Sequence, residues 1–482
     1  MASPLLKAFA WFDAATPKPT GRSAPSPTTY VGCRMSVVGG WMALAIHPLM
    51  SPPMERSIGI GLLGAGTVGG TLVSRLIGES EAIAAKTGLT FDVRRVGVRD
   101  IGRQRPFPVT DGLLTDRLTE VIEDPSIDLV VEVMGGLDPA GDLILAALEA
   151  GKPVVTANKE LIAARGPELI EAAERSGVPL LFEAAVGGGI PIIRPLSETL
   201  AGEKIDRVLG IVNGTTNFIL TEMAERGTTY ADALADAQDL GYAEPDPTAD
   251  VSGADAAAKA AILASLAFGT WVGSGDVFTE GIEEITAVDM GFAAEFGYAV
   301  KLIAVCERTG HGVNTRVHPA MIPLEHPLAS IRGATNAVFI EGPAIDSLLF
   351  AGPGAGGDPT ATAVLGDMID AARETLAGAQ VAPRIRFSPG ELVEFSEVDT
   401  EWYVRLLVDD RPGVLAQIAS GFGDAGVSIK SVWQEGADTE AALIIVTHRT
   451  SERAHSEALE RLKAIEEVID VGSVIRVLGD ET

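Results

Sequence analysis

The sequence predicts an α/β protein that opens with a doubly wound parallel sheet and continues into smaller mixed domains. Three observations support this fold class: apolar strands alternate with amphipathic helices from Ser57 onward, a glycine loop joins the first strand to the first helix, and the chain has 482 residues. Strand–helix alternation indicates a parallel sheet, because each helix carries the chain back to the same edge. At roughly 100–200 residues per domain, the length predicts about three domains.

Composition excludes several classes of function. The chain carries 37 Lys and Arg against 66 Asp and Glu, a formal charge of −29. This charge argues against binding to nucleic acids or anionic membranes, which reward basic side chains. The two cysteines, Cys33 and Cys306, form no CxxC pair and fit a reducing compartment. Since no apolar run reaches the roughly 18–20 residues of a membrane span, we expect a cytoplasmic protein with no nucleic-acid or membrane partner.

Residues 1–56 differ from the rest of the chain. They are dense in Pro, Ser, Thr and Gly, a composition typical of a disordered segment. Two interpretations stay open: a disordered extension, or sequence upstream of a true start at Met35 or Met54. We favour a start at Met54, because Met54-Glu55-Arg56 leads directly into the first strand.

A glycine loop follows the first predicted strand, Ser57–Leu63. It reads Gly-Ala-Gly-Thr-Val-Gly and opens a helix that continues to about Ile77. In this context Gly64 allows the tight turn, Gly66 lets the backbone approach a pyrophosphate, and Gly69 lets helix and strand pack closely. The helix N-terminus then offers N–H groups to phosphates. This pattern predicts a Rossmann-type dinucleotide-binding domain at 57–184 rather than a purely structural turn. Its candidate cofactor residues are Gly64, Gly66, Thr67, Val68 and Gly69.

The second predicted strand, Phe91–Val98, ends in Arg99-Asp100. An acidic residue at this point favours the ribose hydroxyl of NAD, whereas an arginine favours the 2′-phosphate of NADP. Arg103 and Arg105 follow closely and favour NADP, with Arg99 as the cofactor residue, although NAD stays open. The alternative is a solvated loop of mixed charge.

Two later strands end in further candidate residues. The strand that begins at Ile127 ends in Gly135-Gly136, and a strand at 153–156 is followed by Ala157-Asn158-Lys159. Ligands of doubly wound sheets bind beyond the carboxyl ends of the strands, which places Gly135, Gly136 and Lys159 near the cofactor. A lysine that opens a helix opposes the helix dipole, so a structural role is poorly motivated. An ordinary surface lysine is the alternative.

A predicted helix at Ala254–Phe268 carries a carboxylate and an ammonium four residues apart, with Asp250 or Ser252 as its N-cap. Asp255 and Lys259 therefore lie on one face, which continues through Ile262, Leu263 and Leu266. A partly desolvated lysine paired with a carboxylate is suited to general acid chemistry. The alternative is a surface ion pair.

Several motifs in one order resemble the homoserine dehydrogenase family. They are Val131–Gly136, Thr156–Glu160, Glu183–Pro191 and Gly241–Pro247, followed by Asp250, Gly253, Asp255 and Lys259. The resemblance runs from about Ile58 to about Arg373. It implies a reversible, NAD(P)H-dependent reduction of L-aspartate 4-semialdehyde to L-homoserine, a step of threonine, methionine and isoleucine biosynthesis.

The resemblance also implies roles for particular residues. Lys259 and Lys159 would transfer protons, and Asp255 would orient Lys259 and the substrate. Glu244 and Asp250 would hold the substrate's ammonium group. The residues from Glu183 to Ile190 are predicted to form a strand followed by a triple-glycine loop, where Glu183 and the carbonyls of Val186, Gly188 and Ile190 would bind a sodium ion. A tight loop beside the cofactor is an equally good interpretation of this segment.

The family's domain organisation implies a substrate and dimerisation domain of α+β type at 185–343, and hence a homo-oligomer. Strand-like stretches at Ile205–Val212, Gly312–Val317 and Ala337–Ile340 suit a mixed sheet there. The chain would then return to the nucleotide domain at 344–378. There a second glycine loop precedes a helix that begins near Pro359, which makes Gly356 a cofactor candidate.

After a predicted linker at 379–400, residues 401–482 have the order βαββαβ. The strands are Trp402–Val408, Ser428–Gln434, Ala441–Thr447 and Val468–Val477, and the helices follow Pro412 and Ser451. This order, together with Asp410-Arg-Pro-Gly-Val-Leu415, resembles an ACT domain, which implies regulation by an amino-acid effector such as threonine. Val427 replaces the asparagine often found there, which leaves the effector's identity open. An assembly domain without a ligand is the alternative.

Two functional classes follow. The first is a feedback-regulated NAD(P)-dependent oxidoreductase, and the second is a non-catalytic amino-acid sensor that retains the dinucleotide fold. Intact Lys159, Asp255 and Lys259 favour the enzyme. Another amino-acid dehydrogenase is a weaker alternative, which the Glu244-Pro-Asp-Pro loop disfavours.

Overall fold

A computed structural model describes residues 56–378, 384, 386–437 and 439–479. The expectations for residues 1–55 and for 379–383 fall outside this part of the chain. Among the described residues, no helix has the length and apolar character needed to cross a bilayer.

The first sheet is built from six parallel strands. They are β1 (Arg56–Leu63), β2 (Leu89–Gly97), β3 (Leu114–Thr115), β4 (Leu129–Glu132), β5 (Val154–Thr156) and β6 (Leu180–Leu181). Their spatial order is β3-β2-β1-β4-β5-β6, which reverses direction at β1 as a doubly wound fold requires. The intervening helices are α1 (Thr67–Gly78), α2 (Ser80–Thr87), α3 (Thr119–Glu123), α4 (Ala140–Glu149) and α5 (Lys159–Ser176).

The middle of the chain forms a mixed sheet covered by helices. Its strands are β7 (Arg207–Ile211), β8 (Phe278–Thr279), β9 (Tyr298–Thr309), β10 (Gly312–Pro323), β11 (Thr335–Gly342) and β12 (Asp346–Pro353). The helices are α6 (Gly214–Arg226), α7 (Tyr230–Asp239), α8 (Thr248–Val251), α9 (Ala254–Phe268) and α10 (Ala287–Glu295). Alanine-rich α9 is almost wholly buried and packs on β9 and β10 in the main core. It therefore holds its polar residues in a fixed position.

Helix α11 (Gly357–Ala377) returns the chain to the first sheet. Its apolar residues, from Ala361 to Ala372, share a core with β1, β2 and α1. A Cβ on Gly357 would meet the Thr71 hydroxyl at 2.7 Å, so this position needs glycine for α11 to lie against α1. The nucleotide-binding fold is thus completed by a distant segment.

The C-terminal domain has the expected βαββαβ order with one short additional strand. It comprises β13 (Asp399–Asp409), α12 (Val414–Asp424), β14 (Ile429–Ala437), β15 (Glu440–Thr447), β16 (Thr450–Ser451), α13 (Glu452–Lys463) and β17 (Val468–Val477). Strand β17 pairs in parallel with β10, so the sheet runs continuously as β12-β11-β7-β9-β10-β17-β13-β15-β14. One face of the C-terminal sheet packs on α12 and α13, and Tyr403 and Ile475 on the other face join the main core.

Four local expectations need correction. Glu183–Ala185 is a 3₁₀ turn rather than strand, because the Glu183 carboxylate accepts backbone N–H groups from Ile192 and Ile193 and curls the chain. The N-cap of α9 is Gly253, with φ +85°, instead of Asp250 or Ser252, because Asp250 lies in α8. Helix α11 begins at Gly357, ahead of the predicted Pro359, because Gly356 caps it. The second-sheet strand expected to end at Val317 continues to Pro323 beside β9.

The segments at both ends of α11 also differ from expectation. Strand β12 pairs with β11 and keeps the chain in the second sheet until Pro353, later than the expected boundary near 343. The described part of the expected linker is packed: Leu392 bridges to Val313, and the ring of Phe395 stacks on Phe278 with centroids 4.0 Å apart. The C-terminal domain is therefore fastened to the middle domain before β13 begins.

Candidate active site

The glycine loop has an open, donor-rich geometry. Gly64 has φ +100° and bonds its N–H to the Gly97 carbonyl at 2.9 Å, while a Cβ on Gly69 would collide with the Gly64 carbonyl. A Cβ on Gly66 would meet nothing within 4 Å. Gly66 caps α1 without a side-chain hydrogen bond, and the first turn contains no acid. These features fit a pyrophosphate at the N-terminus of α1, over Thr67 and Val68.

Gly356 lies at the start of α11, which packs against α1. It is exposed, with φ +118°, a backbone conformation that favours glycine. It lines the same cavity as Val68, although the two residues are far apart in sequence. The structure therefore brings the second glycine loop to the first.

The paired glycines after β4 are held by a buried carboxylate. Glu132, fully buried, accepts the backbone N–H groups of Met134 at 2.7 Å and Gly135 at 3.1 Å and the Thr156 hydroxyl at 2.6 Å. Asn158 donates to the Gly136 carbonyl at 2.7 Å. The carboxyl ends of β4 and β5 are thus tied together, and Gly135 and Gly136 both keep φ +75°.

Asn158 also places Lys159. Its side chain caps α5 by accepting the N–H of Leu161 at 3.1 Å, so the helix begins at Lys159 as predicted. The Lys159 ammonium then projects from the first turn toward the middle domain, where it lies 3.2 Å from Asp255.

The end of β2 presents basic groups. Arg99 is exposed, and Arg105 donates to the Ala65 carbonyl of the glycine loop at 2.8 Å and to the Asp100 carbonyl at 2.6 Å. The Asp100 carboxylate accepts the N–H of Gly102 at 2.8 Å and so closes its own turn. Arg105 therefore fastens the segment after β2 to the glycine loop.

A cleft of about 1900 Å³ lies where the two domains meet. Its walls contain half of the predicted site residues, from both domains and from the second glycine loop. They are Val68, Gly135, Lys159, Gly188, Glu244, Asp250, Asp255, Lys259 and Gly356. Gly64, Gly66, Thr67, Gly69, Arg99, Gly136, Glu183, Val186 and Ile190 do not line it; the glycine-loop residues among them sit beside Val68 in the chain.

Two lysines share one carboxylate in this cleft. Lys259 Nζ donates to Asp255 Oδ2 at 2.6 Å and to the Val212 carbonyl at 2.7 Å, and Lys159 Nζ lies 3.2 Å from Asp255 Oδ1. Burial alone would raise the pKa of Asp255, but the charges of the two lysines and the hydrogen bonds from Lys259 and Asn213 outweigh it and lower the pKa to about 2. Asp255 is therefore an anion at any physiological pH. Lys259 keeps one ammonium proton for another acceptor, since an ammonium has three.

Asn213 connects Asp255 to a second carboxylate. Its Nδ2 donates to Asp250 Oδ1 at 2.6 Å and to Asp255 Oδ2 at 2.9 Å. Burial raises the pKa of Asp250, and the charge of Asp255 acts in the same direction, whereas the hydrogen bond from Asn213 lowers it. Two neighbouring acids are thus held in different environments, an arrangement typical of sites with divided roles.

Glu244 lies on the wall of the cleft with an exposed side chain. Its carbonyl accepts the Gln238 side chain at 3.2 Å, which fastens the proline-bracketed loop to α7. The carboxylate itself is thus available to a ligand that enters the cleft.

The segment after Glu183 forms a compact buried turn. The Glu183 carboxylate accepts three backbone N–H groups, from Ile192, Ile193 and Arg194, at 2.6–2.9 Å. Within the described chain, no hydrogen bond reaches the carbonyls of Val186, Gly188 and Ile190. Those carbonyls fit a hard cation, whereas the Glu183 carboxylate already satisfies most of its acceptor sites with protein donors.

Three residues that hold the site in shape carried no prediction from the sequence: Asn213, Glu132 and Thr156. Glu132 stood within a quoted motif, and a charged residue inside an otherwise apolar strand is a usable signal. Asn213 precedes α6 as an ordinary N-cap, so its second function becomes visible only when α8 and α9 are brought against it.

A Rossmann-type phosphate loop beside a lysine–carboxylate–lysine cluster defines an NAD(P)-dependent oxidoreductase. Sequence models of families agree with this class: the NAD-binding domain of homoserine dehydrogenase matches residues 64–183, homoserine dehydrogenase matches 191–369, and the ACT domain matches 402–467. The chain belongs to the homoserine dehydrogenase family, and the prediction of that family with a C-terminal ACT domain is confirmed.

Curated relatives cover nearly the whole described chain. A homoserine dehydrogenase of Mycobacterium tuberculosis is 46% identical over 439 residues, which span 89% of this chain and 99% of the relative. One of Corynebacterium glutamicum is 47% identical over 430 residues, 88% of this chain and 96% of the relative.

Solved structures show the same fold. A homoserine dehydrogenase from Thiobacillus denitrificans superposes with a TM-score of 0.82 at 39% identity, covering 88% of this chain and 99% of that one. The Staphylococcus aureus enzyme gives 0.71 at 31% identity, with 88% and 100% covered. A hyperthermophilic archaeal homoserine dehydrogenase in complex with NADPH gives 0.54 at 30% identity, with 68% and 100% covered.

Proposed function

We propose that this protein interconverts L-aspartate 4-semialdehyde and L-homoserine, with NADPH as the preferred reductant, in its cleft between the nucleotide and middle domains. The observation that carries the proposal is the Lys159–Asp255–Lys259 cluster, which joins α5 of one domain to α9 of the other. The carbonyl would lie between this cluster and the glycine loop.

The bound nicotinamide supplies a hydride to the aldehyde carbon and accepts one from the alcohol carbon in reverse. Lys259 donates the proton that the developing alkoxide requires, using the ammonium hydrogen that neither Asp255 nor the Val212 carbonyl accepts. Lys159 adds a second positive charge near the same oxygen, which stabilises the negative charge that develops there. Asp255 holds both ammonium groups in place and remains ionised throughout.

The substrate's own ammonium group would be bound by two acids that line the cleft. Asp250 lies beside Asp255 through Asn213, and Glu244 is exposed on the wall. Together with the two lysines, these carboxylates would orient an amino acid whose side chain carries the reacting aldehyde.

NADPH is the preferred form because of the basic groups that follow β2. Arg99 is exposed, and the Asp100 carboxylate is occupied by the N–H of Gly102. A 2′-phosphate is attracted by the arginine, whereas a ribose hydroxyl would lack a ready carboxylate. The archaeal relative that was solved with NADPH supports the same preference.

A sodium ion is proposed at the carbonyls of Val186, Gly188 and Ile190. Glu183 would act mainly by shaping this turn through its three backbone hydrogen bonds. The ion would hold the turn beside the cleft, where Gly188 lies, and would take no part in the chemistry.

The ACT domain supports regulation by an amino acid, and we propose threonine as the effector of a cytoplasmic homo-oligomer. The loop from Asp410 to Leu415 borders a cavity of about 380 Å³ with Gln434 and Leu443, a suitable place for a small amino acid. The ion pair between Arg405 and Asp289 and the β10–β17 pairing join this domain to the middle domain.

The experiment is an initial-rate assay of the purified full chain with L-aspartate 4-semialdehyde, using NADPH or NADH, with and without L-threonine. We expect turnover with both cofactors, a preference for NADPH, and inhibition by threonine. An inactive protein that still binds threonine would favour the non-catalytic sensor instead. Replacing Arg99 with Ala should weaken the preference for NADPH without abolishing activity.

A further inference from the structure

Asn213 lies between the two carboxylates of the cleft in a single, defined orientation. Its Nδ2 donates to Asp250 at 2.6 Å and to Asp255 at 2.9 Å, and its Oδ1 accepts the Thr216 N–H at 2.8 Å and hydroxyl at 3.0 Å. An amide oxygen cannot donate to a carboxylate, so only this orientation satisfies both ends. The side chain is 4% exposed, which leaves it little room to turn.

The two carboxylates face each other around this amide. The groups that face Asp250 are Asn213, Thr215, Asp255 and Lys259. Both lysines pair with Asp255, and the Thr215 hydroxyl donates to the Tyr242 carbonyl at 2.8 Å, so the hydrogen bond that favours the ionised form of Asp250 comes from Asn213. Without the amide, two negative groups would lie side by side with no donor between them, which disfavours ionisation of one.

We propose that Asn213 is a positioning residue for the substrate: it ties the Asp250 carboxylate to Asp255 and so holds Asp250 where it binds the substrate's ammonium group. This inference rests on the proposed function. It gives the amide a task distinct from the N-cap that it also provides to α6, because its oxygen makes the cap and its nitrogen holds the acids.

The two tasks separate by substitution. Asn213→Asp and Asn213→Ser both keep an oxygen that can accept the Thr216 N–H, and both residue types are good N-caps. Neither presents the amide donor to the carboxylates. The aspartate adds a third negative charge to the site, whereas the serine adds none, so the first variant should show the larger effect.

The test measures oxidation of L-homoserine with NADP⁺ across pH by the full-length variants. For Asn213→Asp we expect at least a tenfold rise in KM for homoserine, as for a lost charge-assisted hydrogen bond. The acid limb of kcat/KM should move to higher pH, because Asp250 loses a donor that lowers its pKa. NADPH affinity, followed by fluorescence, should stay within twofold. Asn213→Ser should shift both quantities less and in the same direction.

Asn314→Asp is the matched control. Asn314 is also buried, but its amide donates to the Val393 carbonyl, away from the cleft. This variant should leave KM and the acid limb unchanged, whatever its melting temperature.

Two results would overturn the inference. One is an unchanged KM and acid limb in both Asn213 variants; the other is a fall in kcat and melting temperature at constant KM, which indicates capping alone. If Asn213→Asp does not fold, Asn213→Ser decides. A wild-type protein that does not oxidise homoserine would instead refute the proposed function, and it is distinguished by being inactive before any substitution.

Discussion

Two clusters of buried charge occupy different junctions of this molecule. In the cleft, Lys159 and Lys259 share the single carboxylate of Asp255. At the domain boundary, Arg405 and Arg476 of the ACT domain and their partners form a second cluster, the boundary cluster, in which two arginines meet three carboxylates. Arg405 pairs with Asp289 at 2.8 Å, and Arg476 pairs with Glu452 and Glu280.

The surroundings of the clusters differ as much as their charge. The cleft cluster opens into a cavity of about 1900 Å³, whereas Arg476 is covered by the rings of Phe278, Phe395 and Trp402 at 5.4–5.6 Å. A buried ion pair closed on all sides fastens two domains. The cleft cluster is open on one side and contains two cations for one carboxylate, so it can act on a ligand. An open side therefore distinguishes a functional site from an ion pair that only holds two domains together.

Removal of a lysine from the cleft cluster should have the largest effect, and the effect should be on turnover. We expect Lys259→Ala to lower kcat at least about 100-fold, as typical for a lost general acid, because the alkoxide loses its proton donor. NADPH binding should persist, since the glycine loop is untouched. Steady-state rates and cofactor fluorescence measure both quantities.

Lys204→Ala, an exposed lysine near Asp206, is the control and should keep wild-type turnover. Turnover retained by Lys259→Ala would remove this residue from the proton-transfer role and would make the two clusters functionally alike.

Disruption of the boundary cluster should lower the stability of the fold and leave turnover unchanged. Asp289 is fully buried and accepts Arg405 and the Ser473 hydroxyl at 2.7 Å. We expect Asp289→Ala to lower the free energy of unfolding by about 2–3 kcal/mol, because it leaves Arg405 partly buried without its carboxylate. Chemical denaturation measures the loss, and kcat at low temperature should be unchanged. A fall in kcat with unaltered stability would contradict the distinction.

Mild acid should destabilise the surroundings of the boundary cluster before it affects the cleft cluster. Burial lowers the pKa of His455 to about 4, and Arg476 adds to the effect; burial also holds the pKa of His318 well below its usual range. The unfolded chain, with histidine near 6.5, therefore binds protons that the folded chain does not. The free energy of unfolding should fall as the pH drops from about 6.5 toward 4, while Asp255 stays ionised.

His455→Gln removes one of these titrations and should flatten the pH dependence of the free energy of unfolding, by about 1–2 kcal/mol at pH 5. Its Nε2 neighbour, the Thr447 hydroxyl at 2.8 Å, can bond a glutamine amide equally. Identical pH profiles for the variant and the wild type would show that His455 does not titrate in this window.

The smallest loss of stability is expected at the exposed rim of the boundary cluster. Glu280 is 37% exposed, and its partner Arg476 keeps Glu452 when Glu280 is lost. Glu280→Gln should therefore cost under about 1 kcal/mol of unfolding free energy, as is usual for exposed pairs. Chemical denaturation of Glu280→Gln and of Glu452→Gln provides the comparison. Because Glu452 is only 4% exposed, its replacement should lower the free energy of unfolding by more. Equal costs would show that burial does not set the strength of this cluster.

The predictions from the sequence were most accurate where one short segment contains all the residues of a motif. The Gly64–Gly69 loop and the Asp255–Lys259 pair each lie within one strand–helix turn or one helix, so spacing alone places them. The predictions were weakest where partners are distant in sequence. Asn213 meets Asp250 and Asp255 only after α8 and α9 pack against the start of α6.

The same limit explains the errors in the fold. The order βαββαβ was predicted because each element has its own pattern, yet the pairing of β10 with β17 has no local signal. The turn at Glu183 was predicted as strand because its residues are apolar, and the carboxylate that bends the chain finds its donors nine to eleven residues later.

Strand β17 has a consequence for how this protein is made. It is the last strand that the structure describes, yet it lies between β10 of the middle domain and β13 of the ACT domain. While the ribosome is still adding these residues, the two halves of the long sheet are separate, and β10 has an unpaired edge. Such an edge is prone to aggregation, and closure between residues so distant in sequence is slow. The long sheet can therefore close only after the ACT domain has been made.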